Sequence, residues 1–149
     1  MPEFKAPLRD MRFVFEELLN SYEHYQNFEK GEEATPDTVN AILEECAKFS
    51  EQELAPLYQT GDEEGCTLKD GEVQTPKGFK EAYQTYVESG WQGINHAPEY
   101  GGLGLPISLG VLKSELISMA NWSWGMYPGL SIGAMNTIFL HGDEDQKQT

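Results

Sequence analysis

Cationic side chains are scarce in this sequence. Lysine and arginine together number 10 against 25 aspartates and glutamates, which gives a formal net charge of −15 at neutral pH. Such a surface repels the phosphates of nucleic acids and of anionic lipids. The sequence therefore predicts no nucleic-acid partner, and its short acidic clusters are typical of solvated helix faces and loops.

Cysteines are scarce as well. Cys46 and Cys66 do not form a C-x-x-C pair and have no histidine nearby in the sequence, which argues against a zinc site. Because 149 residues can bury a core without disulfides, both are predicted to be thiols in a reducing compartment. Residues 1–5 lack the basic and apolar segments of a secretory signal, so we expect a cytoplasmic protein of one domain.

Charge is absent altogether from residues 116–140. The length of this run would suffice for a membrane-spanning helix. However, it contains asparagine, serine and threonine side chains, three glycines and Pro128, and is therefore too polar for a single span. We interpret it as a helix buried on all sides in a soluble protein, with a membrane anchor as the less favoured alternative.

Apolar residues recur at helical spacing along most of the chain, which predicts an all-α fold with a helical bundle of about five helices. A second, long helix starts at the Thr35-Pro36 cap and ends or kinks at Pro56, and a third follows Thr75-Pro76 and stops at Gly90. The apolar stripe of the first predicted helix consists of Leu8, Met11, Val14, Phe15, Leu18, Leu19 and Tyr22.

One segment interrupts the helical pattern. Between residues 61 and 75 no helical period survives, and Asp70-Gly71 predicts the turn of a small surface hairpin over residues 66–75. We further predict that residues 1–34 are an N-terminal extension helix packed on a helical domain formed by residues 35–149.

Two more helices are predicted in the last third of the chain. The fifth begins near Asn121 or Ser123, is kinked or interrupted at Pro128, and ends at Gly142. The stripe of the fourth consists of Val111, Leu112, Glu115, Leu116 and Met119. On the fifth helix, glycines 125, 129 and 133 share a face that lets a ligand or another backbone approach, which suits the wall of an apolar cavity. A well-packed core helix is the alternative.

Familiar catalytic and cofactor motifs are missing. The glycines at 101, 102 and 104 do not have the dinucleotide-binding spacing, and no P-loop lysine follows them. His24, His96 and His141 are widely separated and lack metal-ligand spacing, so no metal site is predicted. Glu115, the lone acid on an apolar stripe, is either a general base or a structural carboxylate, and we favour the structural role.

The end of the sequence carries a helix start signal. Asp143 is a candidate N-cap, and Gln146 stands three residues later, as in a capping box. Since only one further turn follows, we expect this chain to be the N-terminal piece of a longer protein.

The loop that contains glycines 101, 102 and 104, called the glycine loop below, and its surroundings resemble the N-terminal domain of the acyl-CoA dehydrogenases. The resemblance rests on residues 98–106 (PEYGGLGLP), on the preceding Gly90-Trp91, on the helix that holds Glu115, and on Gly142 followed by Gln146-Lys147. It covers residues 36–149. Residues 4–8 (FKAPL) and 126–131 (MYPGLS) extend it to a longer subgroup that includes 3-(methylthio)propionyl-CoA dehydrogenases.

The resemblance implies α,β-desaturation of an acyl-CoA thioester by an FAD-dependent enzyme, with FAD and the catalytic carboxylate held by a middle β-domain and a C-terminal helical domain. The expected partners are acyl-CoA, the remaining domains of the parent chain, further copies in a homo-oligomer and an acceptor of the electron-transfer flavoprotein type. This segment would supply no catalytic or flavin-binding residue and be inactive alone. Its implied substrate-binding residues, which line the acyl pocket, are Met126, Tyr127, Leu130, Ser131 and Ala134.

A function from a different class is also compatible with the residues. The chain could be a free-standing acidic helical module whose uncharged helix docks a partner protein. The enzyme hypothesis requires several hundred further residues with β-rich sequence, whereas the module hypothesis does not.

Overall fold

The computed structural model describes residues 3–28 and 31–148 and confirms the all-α fold class. The α-helices are α1 (Leu8–Arg12), α2 (Ser21–Tyr25), α3 (Pro36–Phe49), α4 (Leu57–Glu64), α5 (Phe79–Glu88), α6 (Ile107–His141) and α7 (Glu144–Gln148). Two π-helical segments, Phe13–Leu18 and Ser50–Leu54, continue α1 and α3, and the strands are β1 (Thr67–Lys69) and β2 (Glu72–Gln74). Short 3-10 turns lie at Trp91–Gly93 and Pro98–Tyr100.

The core forms where α3, α5 and α6 meet. Trp124 of α6 is fully buried, its ring lies 5.8 Å from Phe49 and 5.5 Å from Tyr86, and its indole N–H donates to the Phe79 carbonyl at 3.1 Å. A buried tryptophan needs such an acceptor, because an unpaired indole N–H is costly away from water. The predicted Thr35 cap is confirmed, since its hydroxyl accepts from the Thr38 amide at 3.2 Å.

The prediction of one continuous first helix is wrong. After α1 and its π-helical continuation, Asn20 adopts a left-handed conformation with φ 47°, and a separate helix α2 begins at Ser21. Asparagine tolerates this conformation better than most residues, so it breaks the helix at little cost. Val14, Leu18 and Leu19 of the predicted stripe are exposed, whereas Met11 and Phe15 enter the core.

Two boundaries in the middle of the chain also differ from prediction. Residues 61–64 belong to α4, although their composition suggested a loop, and α5 begins only at Phe79, after Gly78 in a left-handed conformation. The hairpin is confirmed: β1 and β2 pair antiparallel, with Leu68 opposite Val73. Its turn has φ 54° at Asp70 and 84° at Gly71, as a two-residue hairpin turn requires.

The two helices predicted in the last third are the two halves of α6, and they meet at a break at Asn121, where the fifth helix was predicted to begin. The Asn121 φ of −160° and ψ of 90° are non-helical. The Asn121 side chain accepts from the Trp124 amide at 3.0 Å and donates to the Leu54 carbonyl at 3.2 Å, so it caps the second half of α6 and ties it to the core. The second half of α6 therefore begins at Asn121, as predicted, and Pro128 is buried within it.

Burial of the uncharged run on all sides is wrong for its second part. Residues up to Pro128 include buried Leu116, Ile117 and Trp124, but Leu130 is 75% exposed and Leu140 is 70% exposed. The described helices do not include one that is long and apolar enough to cross a membrane. An uncharged helix thus lies open on one side in this chain.

We expect this open side to cause self-association of the isolated 149-residue chain, because it leaves a large apolar surface in water. Raising the salt concentration should strengthen the effect by screening the net charge of −15. Size exclusion with light scattering measures it, and Leu130→Glu should reduce it. Leu68→Glu, on the exposed hairpin, is the control that should leave it unchanged. A monomer at every concentration and salt would contradict the expectation.

Candidate functional site

A groove of about 830 Å³ lies beside the second half of α6, between the hairpin, α5 and α6. Its floor is aromatic, because the Tyr127 ring meets the Phe79 ring edge-on at 6.0 Å. Leu130 and Ser131 extend the α6 side of the groove by one turn. Charged side chains at its hairpin and α5 edge are Glu72, Lys77, Lys80 and Glu81.

Two polar pairs join α6 residues of this groove to neighbouring segments. The Cys66 thiol and the Tyr127 hydroxyl lie 3.3 Å apart, and the Tyr83 and Ser131 hydroxyls lie 3.4 Å apart. The hydrogen bond with Cys66, together with partial burial, raises the pKa of the Tyr127 phenol to about 12. Tyr127 is therefore neutral at physiological pH and can act as a hydrogen-bond donor or acceptor, but not as a base.

A second, open face runs along the same half of α6. A Cβ placed at Gly129 or Gly133 would meet no atom of the described residues within 4 Å. No other part of the described chain therefore packs closely against these two glycines. Gly125 differs, because a Cβ there would lie 3.2 Å from the Ile117 side chain. Met126 and Leu130 flank this face and are 51% and 75% exposed. We call the surface formed by Met126, Gly129, Leu130 and Gly133 the glycine face.

Of the five residues implied as substrate-binding, four lie on these two surfaces and Ala134 lies on neither. Tyr127, Leu130 and Ser131 line the groove, whereas Met126 and Ala134 are exposed and lie outside its lining. Leu130 belongs to both surfaces. Their role in substrate binding stays a prediction.

The glycine loop that precedes α6 is folded on itself. Backbone hydrogen bonds join Leu103 to Gly93, Gly104 to His96 and Leu105 to Ile94 over 2.8 to 3.1 Å. A Cβ at Gly102 would lie 2.1 Å from the His96 carbonyl oxygen, so only glycine fits there. The loop therefore uses its own glycines to pack its backbone.

Lys113 is a buried residue that the sequence analysis missed. Only 3% of it is exposed, and its ammonium donates to the Tyr86 hydroxyl at 2.9 Å and to the Trp91 carbonyl at 3.1 Å. Burial lowers the pKa of Lys113 to about 8. Its spacing from buried Leu109 and Leu116 places it on the inward stripe, and this signal was available in the sequence.

Glu115, by contrast, is exposed. Its assignment to an apolar stripe was wrong, because the stripe runs through Leu109, Lys113, Leu116 and Ala120 instead. Burial therefore supports neither a general base nor a structural carboxylate at this position. Among the described residues, no cluster of three histidine, cysteine, aspartate or glutamate side chains is arranged to hold a metal.

Comparison with known proteins gives a family match. Residues 36–149 match the model described as acyl-CoA dehydrogenase, N-terminal domain. A 3-methylmercaptopropionyl-CoA dehydrogenase of Ruegeria pomeroyi is 36% identical over 144 residues, which cover 97% of this chain and 24% of that protein.

Two further relatives are more distant. A broad-specificity linear acyl-CoA dehydrogenase of Mycobacterium tuberculosis is 25% identical over 99% of this chain and 24% of its own length. A butyryl-CoA dehydrogenase of Syntrophomonas wolfei is 26% identical over 95% of this chain and 23% of its own length. The chain thus spans about a quarter of the length of these relatives.

Proposed function

The chain belongs to the acyl-CoA dehydrogenase family, and we propose that it is the N-terminal helical domain of an FAD-dependent enzyme that desaturates acyl-CoA thioesters. In this proposal residues 35–149 form the domain. Residues 1–34 are an extension packed on it, supported by the Arg12 guanidinium, which donates to Asn40 at 2.6 Å and to Glu44 at 2.8 Å. The proposed location is the cytoplasm.

The proposal that this chain contributes to the acyl pocket rests on the glycine face. It is an uncharged, open helical surface on which glycines leave room for a ligand against the backbone. An acyl chain needs an apolar wall without charges or unpaired polar groups, and close approach to a helix backbone increases the contact area. We propose that Met126, Tyr127, Leu130, Ser131 and Ala134 form one wall of the acyl pocket and that the missing parts of the parent complete it.

We propose that this chain alone does not hold FAD. The second half of α6 has no charged side chain up to Leu140 and so offers nothing to neutralise the pyrophosphate of the cofactor. We therefore propose that FAD is held by other domains of the parent, where it accepts the hydride that leaves the β-carbon. The carboxylate that removes the α-proton also lies outside this chain, and residues 126–134 position the acyl chain without taking a proton.

The proposal has a direct test. The purified 149-residue chain should be colourless and should not reduce an electron-acceptor dye, either with 3-(methylthio)propionyl-CoA or with straight-chain acyl-CoAs. The same chain joined to the remaining sequence of its parent should bind flavin and reduce the dye. If the 149-residue chain bound flavin and turned over substrate, the proposal that other domains supply FAD and the catalytic carboxylate would be overturned. If the parent did not bind flavin, the alternative of a protein-interaction module would be favoured.

In the parent we propose acyl-CoA as substrate, a homo-oligomeric assembly and an acceptor of the electron-transfer flavoprotein type. The acidic surface supports a protein acceptor that carries a complementary basic patch.

A further inference from the structure

A large aromatic side chain stands at the beginning of the glycine face. Trp122 is the first residue after the break at Asn121, and it is 62% exposed. Gly129 follows it by seven residues and Gly133 by eleven, which are close to two and three full turns of a helix. Trp122 therefore projects from the same side of α6 as these two glycines.

The backbone that carries Trp122 is held firmly, whereas its ring has no partner in the chain. The Asn121 side chain accepts from the Trp124 amide at 3.0 Å and donates to the Leu54 carbonyl at 3.2 Å, and Trp124 itself is fully buried. Among residues 3–28 and 31–148, none forms a hydrogen bond or a ring contact with the Trp122 indole. The fold thus fixes the base of this side chain and leaves the ring available to another molecule or domain.

The two ends of the glycine face differ in shape. At a rise of about 1.5 Å per residue, Trp122 and Gly133 are separated by about 16 Å along the helix axis. Beyond Gly133 the same side of the helix carries Thr137, whose small side chain donates its hydroxyl to the Gly133 carbonyl at 2.9 Å. The glycine face is therefore obstructed by a bulky ring at its Trp122 end and lacks such an obstruction at its Thr137 end.

We propose that Trp122 closes the acyl pocket at the methyl end of the acyl chain and sets the longest chain that the enzyme accepts. The inference rests on the proposed function, in which the glycine face is one wall of that pocket. The CoA portion is large and charged and must leave through the unobstructed end, so the tip of the acyl chain points to Trp122. The indole contributes apolar contact to a chain that reaches it and blocks a chain that is longer.

The flavin-loaded, full-length parent tests this role through its preference for chain length. The measurement is kcat/KM for straight-chain acyl-CoAs from butanoyl-CoA to palmitoyl-CoA. In Trp122→Ala, kcat/KM for acyl groups longer than the original limit should rise at least about tenfold, because each methylene group that a pocket accepts or rejects changes kcat/KM by about tenfold or more. For the shortest acyl groups, which do not reach the ring, kcat/KM should change by less than about threefold.

Two further variants complete the experiment. Trp122→Phe keeps a smaller aromatic ring, so it should shift the limit in the same direction by a smaller amount, and it decides the question if Trp122→Ala fails to bind flavin. Met119→Ala is the matched control, since Met119 is an exposed apolar residue of α6 that precedes the break and lies outside the glycine face. It should leave the chain-length profile unchanged.

The outcomes separate this inference from the proposed function. In an active parent, a Trp122→Ala variant that loses the same fraction of kcat/KM at every chain length would show that the ring packs on another domain, and an unchanged profile would show that it does not meet the substrate. An unmodified parent that uses every chain length equally well would have no limit for Trp122 to set. Each of these results overturns the role of Trp122 and leaves the proposed function intact, whereas a parent that dehydrogenates no acyl-CoA overturns both.

Discussion

Replacing Gly133 with leucine in the full-length parent enzyme should lower kcat/KM for acyl-CoA substrates by roughly tenfold to a hundredfold. The new side chain would project from the glycine face into the space that we assign to the acyl chain. Nothing within this chain obstructs it, because a Cβ at Gly133 meets no atom within 4 Å. The loss should therefore arise in substrate binding and positioning, and it should be largest for the bulkiest acyl groups.

The isolated domain should respond in the opposite direction. Glycine inside an exposed helix costs about 1 kcal/mol relative to alanine, and leucine is nearly as favourable as alanine, so Gly133→Leu should raise the free energy of unfolding of the 149-residue chain. Urea unfolding followed by circular dichroism measures this. If the substitution makes the isolated domain more stable and the parent enzyme less active, the loss of activity comes from the filled pocket and not from misfolding.

A matched control completes the experiment. Gln84→Leu enlarges an exposed position on α5 that lies outside the groove, and the parent should keep its activity. If Gly133→Leu left kcat/KM unchanged for every acyl length, the glycine face would not be part of the acyl pocket.

The sequence predicted features that depend on local chemistry. The Thr35 cap, the Asp70-Gly71 turn and the capping box at Asp143 are confirmed; in the last, the Asp143 carboxylate accepts from the Gln146 amide at 2.9 Å. Each depends on residues within four positions of one another, so short-range hydrogen bonding and allowed φ values suffice.

The failed predictions depend on long-range contacts. The break at Asn20 is decided by which neighbours pack there, and helical spacing alone fits several registers. For α6, the absence of charge was attributed to burial within the chain, yet its second half is open. Under the proposal that this chain is the N-terminal domain of a longer enzyme, other parts of that enzyme would cover this half of the helix.

Replacing Lys113 with methionine should stabilise the 149-residue chain by about 1 to 3 kcal/mol at pH 7. At that pH the lysine is charged in both the folded and the unfolded state, and folding transfers the charge into a site with no anionic partner. Methionine fills a similar volume without that cost. The groups left behind keep a partner, since the Tyr86 hydroxyl donates to the Trp91 carbonyl at 3.4 Å.

The advantage of the methionine variant should shrink as the pH rises. The folded pKa of Lys113 is about 8 and the ordinary value is 10.5, so between these values the unfolded state binds more protons than the folded state. The unmodified chain therefore gains stability across this window, by about 2 to 3 kcal/mol in total, whereas the variant does not. The difference in free energy of unfolding should be largest below pH 8 and small near pH 10.5.

Comparing variants isolates this effect from other titrations. Burial raises the pKa of Cys46 to about 12, so Cys46 lowers stability as the pH rises above 9, but it is present in both proteins and largely cancels in the difference. Lys69→Met, on the exposed hairpin, removes the same charge from the surface and should change stability by less than about 0.5 kcal/mol at every pH. Urea unfolding of the three proteins from pH 6.5 to 10.5 supplies the measurement. If Lys113→Met were less stable at pH 7, the two hydrogen bonds of the ammonium would outweigh its desolvation, and the buried charge would stabilise the fold instead of straining it.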